Sequence, residues 1–163
     1  MIGPTGAAEA EAILGLARHV GLFSDIEIAT ITELLQSYLQ SPGADYSFLS
    51  YREKNQTLGF ACYGPRPLAE GVFDLYWICV ERHRQGQGIG AALLRRVEQE
   101  VAAQSGRLVL IETSSTEPYR LTRSFYEKQG YRPAAVIDDF YRPGDALVLY
   151  RKDLPPRHGL APR

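Results

Sequence analysis

The sequence predicts an α/β (α+β) fold, a single mixed and mainly antiparallel sheet flanked by helices. Three observations lead there. Two amphipathic helical patterns come first, an antiparallel hairpin of period two follows, and two strongly apolar strands are then each followed by a helix. Two last strands complete the pattern. Residues 1–154 are expected to form one domain and residues 155–163 a Pro-rich, disordered tail. No internal repeat and no linker divides the chain.

The elements follow in order. Residues 1–8 have the character of a flexible leader. Residues 9–20 place Ile13, Leu14, Leu16, Ala17 and Val20 at helical spacing, and Gly21 ends that helix. Ser24 or Asp25 can cap a second helix, whose stripe is Ile28, Ile31, Leu34, Leu35 and Leu39. Ser41-Pro42-Gly43 stops it. Residues 46–52 and 57–63 then form a hairpin about the polar turn 53–56. Residues 72–80, V-F-D-L-Y-W-I-C-V, are too apolar for an edge and are expected as the central strand. A helix over 89–104 buries Ile89, Leu93, Leu94, Val97 and Val101, and 107–113 is a second buried strand. Pro118 opens a helix that stops at Gly130. Residues 131–137 and 146–152 are the last strands, with the loop D-D-F-Y-R-P-G-D between them.

Composition excludes several classes. The chain has 163 residues, 45% of them apolar and 23% charged, which suits one globular core. Its net charge of −1 supplies no basic field for nucleic acid. No run approaches the roughly 18 apolar residues of a membrane span. The start M-I-G-P-T-G-A-A-E lacks the basic and apolar regions of a signal peptide. Cys62 and Cys79 lie inside apolar runs, so both are expected as buried free thiols, and the compartment as a reducing cytoplasm. No metal-ligand spacing occurs. His19 and His83 lack the partners of a triad, which leaves them surface or capping roles.

Residues 80–91, V-E-R-H-R-Q-G-Q-G-I-G-A, carry the main motif. A Gly-rich turn that opens a helix exposes unpaired N–H groups at the positive end of the helix dipole, a site for phosphate. Gly86-x-Gly88-x-x-Ala91 fits a dinucleotide fingerprint, with Glu112 near the end of the next strand as the ribose acid. Five residues separate the strand from this turn, however, and a meander precedes it. A mononucleotide P-loop would need Gly-Lys-Ser/Thr where Gly90-Ala91-Ala92 stands, and is set aside.

Gln85-Gly86-Gln87-Gly88-Ile89-Gly90 resembles the Q/R-x-x-G-x-G/A signature of the GNAT superfamily of acyl-CoA-dependent N-acyltransferases. Val80 lies five residues before Gln85, at the strand end, as in that family. F-Y-E-K-Q-G-Y at 125–131 resembles the family's F-Y-x-x-x-G-F/Y, and L-V-L-Y-R-K-D-L at 147–154 its last strand. The likeness covers roughly residues 45–154. Two positions depart from it: Tyr119 and Thr122 stand where Asn and Ala are common. A first strand, usual in the family, is missing or very short here.

The resemblance implies acetyl-CoA as co-substrate; the lack of metal-ligand spacing leaves no metal expected. The amides of Gln85, Gly86, Gln87, Gly88, Ile89, Gly90 and the following Ala91 would hold its pyrophosphate. The main chain of Ile78, Cys79 and Val80 would pair with the pantetheine arm, which requires the fourth and fifth strands to splay apart. Tyr126 is implied as general acid for the leaving thiolate, in contact with the cofactor. Asp74, a carboxylate inside an apolar strand, and Glu112 are candidates for the base or for binding the substrate ammonium. Tyr76 and Trp77 point to opposite faces of their strand, so only one can line an acceptor pocket. Asp138, Asp139 and Tyr141, with Phe140, resemble an acceptor-side loop suited to a cationic amine. The expected activity is direct acetyl transfer in a ternary complex to a small amine, an amino acid or a peptide N-terminus. Rival readings are a non-catalytic acyl-CoA-binding regulator on the same scaffold and a dinucleotide-binding oxidoreductase. No nucleic acid or membrane partner is expected, and a homodimer is left open.

Overall fold

The computed structural model describes residues 1–155. The strands are β1 (Ile2–Pro4), β2 (Ser47–Glu53), β3 (Gln56–Pro65), β4 (Val72–Val80), β5 (Leu108–Ser114), β6 (Arg132–Arg142) and β7 (Asp145–Asp153). The helices are α1 (Ala10–His19), α2 (Asp25–Gln40), α3 (Ile89–Ala103) and α4 (Arg120–Lys128). The sheet order is β1-β2-β3-β4-β5-β7-β6, with β4 and β5 parallel. The apolar run 72–80 therefore does lie in the middle of the sheet. The chain forms two compact units, Met1–Pro65 with Tyr76–Val97, and Arg66–Leu75 with the chain from Glu98 onward. Each is described by itself.

In the first unit, β1 is three residues long and pairs antiparallel with β2, Ile2 opposite Tyr51. Gly3 and Pro4 give it no strand propensity, and cross-strand bonds hold it instead. The Met1 ammonium donates to Arg52 O at 2.7 Å, and Arg52 N to Met1 O at 2.8 Å. Ser24 is the cap of α2: its Oγ accepts from Glu27 N at 3.2 Å while Glu27 Oε2 accepts from Ser24 N at 2.8 Å. The hairpin β2–β3 closes on Lys54 and Asn55, both at positive φ (47° and 64°), the two-residue turn whose twist suits antiparallel strands. The core of this unit joins Ile13, Ala17, Ile31 and Leu35 of α1 and α2 to Phe48 and Phe60 of the hairpin.

In the second unit, Val72–Leu75 of β4 pair with Leu108–Ile111 of β5, and β5 pairs antiparallel with β7. Side chains alternate across these strands. Phe73, Leu75, Val109, Ile111 and Tyr150 share one face, against which α4 packs through Tyr126 and Glu127. Asp74, Leu110, Glu112 and Leu149 share the opposite face.

The ends of several elements differ from expectation. A 3-10 turn, Ala7–Glu9, precedes α1, and another, Glu117–Tyr119, holds Pro118 and precedes α4. The largest correction concerns residues 138–142, expected in a loop. They continue β6, and the turn is only Pro143-Gly144, with Gly144 at φ 82°. The ladder jumps from Ile137 opposite Leu147 to Arg142 opposite Asp145, so Asp138–Tyr141 form a wide bulge. The expected disordered tail lies, from residue 156, outside the described residues.

Candidate active site

The glycine turn belongs to the first unit, and side chains brace it from beneath. Glu81 N donates to Leu58 O at 2.8 Å, and Glu81 Oε2 accepts from His83 N at 2.8 Å, which sets the 3-10 turn Arg82–Arg84. Gln85 Nε2 reaches back to Val80 O at 3.2 Å, so the five-residue spacing closes a loop. Arg84 Nε donates to Gln87 Oε1 at 2.9 Å and Arg84 Nη1 to Glu53 Oε2 at 2.8 Å. Gly86 and Gly88 sit at φ 74° and 85°, conformations that favour glycine. A Cβ at either would meet no protein atom within 4 Å. The turn is thus solvent-facing, with room over its backbone for a pyrophosphate. Ile89, 3% exposed, anchors the start of α3, and the bond Ala92 N to Gly88 O begins the helical ladder. The N–H groups of Ile89, Gly90 and Ala91 precede that bond and have no partner within the helix.

Along β4, Ile78 and Val80 are half-buried and Cys79 is buried. Burial pushes the Cys79 thiol up to about 12, which favours its protonated form. Tyr76 and Trp77 are both half-buried against the core of this unit. Tyr76 meets Tyr46 edge-on, with ring centroids 5.7 Å apart.

The carboxylates belong to the second unit and to one face of it. Asp74 is 9% exposed, and its Oδ1 accepts from Arg66 Nη1 at 2.8 Å. The same nitrogen lies 3.9 Å from Glu112 Oε1. The Glu112 side chain is 46% exposed against 13% for Asp74, so only Glu112 is open to a solute. Burial raises the Asp74 carboxyl above the usual range, and Arg66 opposes that shift without cancelling it. Sequence reasoning missed Arg66. The available signal was an acid inside an apolar strand, which needs a counter-cation, and an arginine in the preceding Pro65-Arg66-Pro67.

Tyr126 lies on α4, on the other side of this sheet. Its ring is 6% exposed and packs among Phe125, Tyr131 and Tyr150, with centroids 5.5, 6.2 and 5.9 Å away. Burial, helped by Tyr119, pushes its hydroxyl well above the ordinary tyrosine range. Tyr126 and the two carboxylates are therefore on opposite faces of the same strands.

The β6 bulge carries the remaining candidates. Asp139, at φ 55°, accepts from Gly144 N at 2.7 Å, so its carboxylate serves the hairpin. Asp138 is exposed. Phe140 and Tyr141 cross edge-on at 5.0 Å and are 51% and 47% exposed. Among the described residues no group of three or more His, Cys, Asp or Glu is placed to hold a metal ion, and no helix is long and apolar enough to cross a membrane.

A strand, a glycine turn and a helix of this form, within this sheet order, define an acyl-CoA acyltransferase scaffold, and the comparisons agree. Residues 44–133 match the acetyltransferase (GNAT) domain. A protein of Desulfovibrio desulfuricans assigned to the GNAT family is 37% identical, at a TM-score of 0.91 over 94% of this chain and 98% of that one. An aminoglycoside 6'-N-acetyltransferase complexed with coenzyme A is 19% identical, at 0.78 over 98% and 99%. A ribosomal-protein-alanine N-acetyltransferase from Brucella melitensis is 17% identical, at 0.74 over 94% and 99%. No curated protein matches the sequence. The chain belongs to the GNAT family of acetyltransferases. The dinucleotide-binding alternative falls with this: the antiparallel β2–β3 hairpin leads into β4, and a 3-10 turn separates β4 from α3, neither of which a doubly wound fold has.

Proposed function

We infer that the protein moves an acetyl group from acetyl-CoA directly to a primary amine: a small amine, an amino acid or a peptide N-terminus. Acetyl-CoA supplies the activated acyl group and a thiolate leaving group. Gln85 to Gly90 hold the pyrophosphate on main-chain N–H groups, and Ile78 to Val80 offer the pantetheine arm a strand edge. Glu112 binds the acceptor ammonium and takes its proton, directly or through water. Tyr126 Oη keeps its own proton until the leaving sulfur needs one. The buried thiol of Cys79 is unsuited to carry the acyl group, which favours transfer without an acyl-enzyme.

The observation that supports this reading is the glycine turn before α3, where the N–H groups of Ile89, Gly90 and Ala91 precede the first helical bond and a Cβ at Gly86 or Gly88 would meet no protein atom within 4 Å. Two of the similar structures are named for aminoglycosides and for a ribosomal-protein alanine, and both acceptors are amines. The bulge residues Asp138 and Tyr141 are exposed, a carboxylate and an aromatic ring of the kinds that suit a cationic acceptor. The test is a panel of amino acids, polyamines, aminoglycosides and peptides with free N-termini, incubated with acetyl-CoA and read by thiol release. Release with one acceptor class supports the reading. Binding of acetyl-CoA with no release from any acceptor points to a non-catalytic acyl-CoA-binding protein.

A further inference from the structure

Asp74 is the more buried carboxylate on the acceptor face, and its one hydrogen-bond partner among the described residues is Arg66. Arg66 is held in place on the backbone side as well. It stands between Pro65 and Pro67, which restrict the chain on both sides. Its N–H donates to Val72 O at 2.8 Å. The guanidinium points between two carboxylates, bonded to Asp74 and 3.9 Å from Glu112, too far for a hydrogen bond. Other arginines on this face are engaged elsewhere: Arg151, the β7 residue opposite Leu110, bonds Asp153 through Nη2 at 2.5 Å, and Arg132, opposite Arg151 on β6, bonds Asp153 at 3.3 Å. Arg66 is therefore the cation in contact with both acids.

We propose that Asp74 is a positioning residue: it holds the Arg66 guanidinium off Glu112, so that Glu112 stays available to the acceptor ammonium. The inference rests on the acceptor-face reading above. Without the Asp74 charge, Arg66 needs to move only about 1 Å to close on Glu112 and form an ordinary ion pair there. An arginine so placed is a built-in competitor for the acceptor's positive charge. Asp74 then acts on the reaction through Arg66 and takes no proton itself.

The experiment compares acceptor KM and kcat for wild type, Asp74→Ala, Arg66→Gln and the double variant, with an amine found active in the panel. Asp74→Ala is expected to raise acceptor KM about fivefold, the size a partly exposed ion pair supports, with kcat within about twofold. The double variant is expected to return KM to within about twofold of Arg66→Gln, because the competing cation has gone. A merely structural role for Asp74 would lower thermal stability and kcat in the single variant and would not appear as a rise confined to acceptor KM. Thermal unfolding of each variant checks that it folds, and Asp74→Asn replaces Asp74→Ala if the latter does not. The inference is overturned if Asp74→Ala lowers kcat a hundredfold or if the double variant stays as impaired as the single one, since Asp74 would then act directly. Wild type that acetylates no amine in the panel fails the function reading itself, and this inference with it.

Discussion

Arg66 Nη1 donates to Asp74 Oδ1 at 2.8 Å, yet the carboxyl remains harder to ionise than a free aspartate, because burial outweighs the pair. The sign of the consequence is fixed. A folded-state pKa raised above the unfolded value means that the folded protein holds this proton more tightly. The stability it contributes is full below the unfolded pKa, roughly 3.9, and is lost as pH rises through the folded value. Asp74→Asn keeps the acceptor oxygen and removes the charge. Its melting temperature relative to wild type is therefore expected to improve between pH 3.5 and pH 7. A variant that loses ground over that range would show that the ion pair more than repays the burial.

Tyr126 separates acid chemistry from packing. Its ring fills a site among three other aromatic rings, while its hydroxyl is held protonated by burial. Tyr126→Phe keeps the ring, so the melting temperature should shift by no more than about 2 °C. The turnover number should fall at least tenfold, with little change in acceptor KM. The raised pKa adds a second expectation. Tyr126 stays protonated across the working range, so no loss of activity below pH 10 arises from its ionisation. Full turnover by Tyr126→Phe would remove the acid from this residue.

Local signals made most of the fold legible. β4 spans residues 72–80 as expected, because nine β-branched and aromatic residues between loop segments leave little alternative. Ser24 followed by Glu27 is a capping pair visible in sequence. The glycine turn and the F-Y segment carried the family. What stayed hidden depends on partners distant in sequence. β1 is a strand only because Arg52 holds it at both ends. Asp138–Arg142 continue a strand through a bulge that period-two reading cannot register. Arg66 becomes part of the site through a charge eight residues away, across a turn.

Glu9 offers a stability test in the first unit. Its carboxylate is bonded to both Arg52 Nε and Nη2, to Thr57 Oγ1 at 2.8 Å and to Gly6 N at 2.8 Å. Burial alone would push its pKa up, but these donors bring it down to about 2. A depressed folded pKa contributes stability above the unfolded value, roughly 4.3, and that stability is lost as pH falls toward the folded one. The contribution at pH 7 is on the order of 2 kcal/mol. Glu9→Gln is expected to unfold about that much more easily in urea at pH 7. The gap should narrow between pH 5 and pH 2.5. An equal gap at both ends would assign the loss to packing.

Gly86 and Gly88 are expected to matter twice, once for the backbone and once for the ligand, and the two effects can be separated. At φ 74° and 85° a side chain costs roughly 1 kcal/mol in conformation alone. Gly144, at φ 82°, bears the same cost at the β6–β7 turn, and a Cβ there also meets nothing within 4 Å. Gly144→Ala is thus the control for strain without a ligand. All three alanine variants should lower the melting temperature by a similar few degrees. Only Gly86→Ala and Gly88→Ala should weaken acetyl-CoA binding, by tenfold or more in calorimetry, because their methyl groups fill the open space above the turn. The contrast is what counts: equal weakening by Gly144→Ala would mean that strain, transmitted through the fold, explains the loss, and the turn would no longer be the pyrophosphate site.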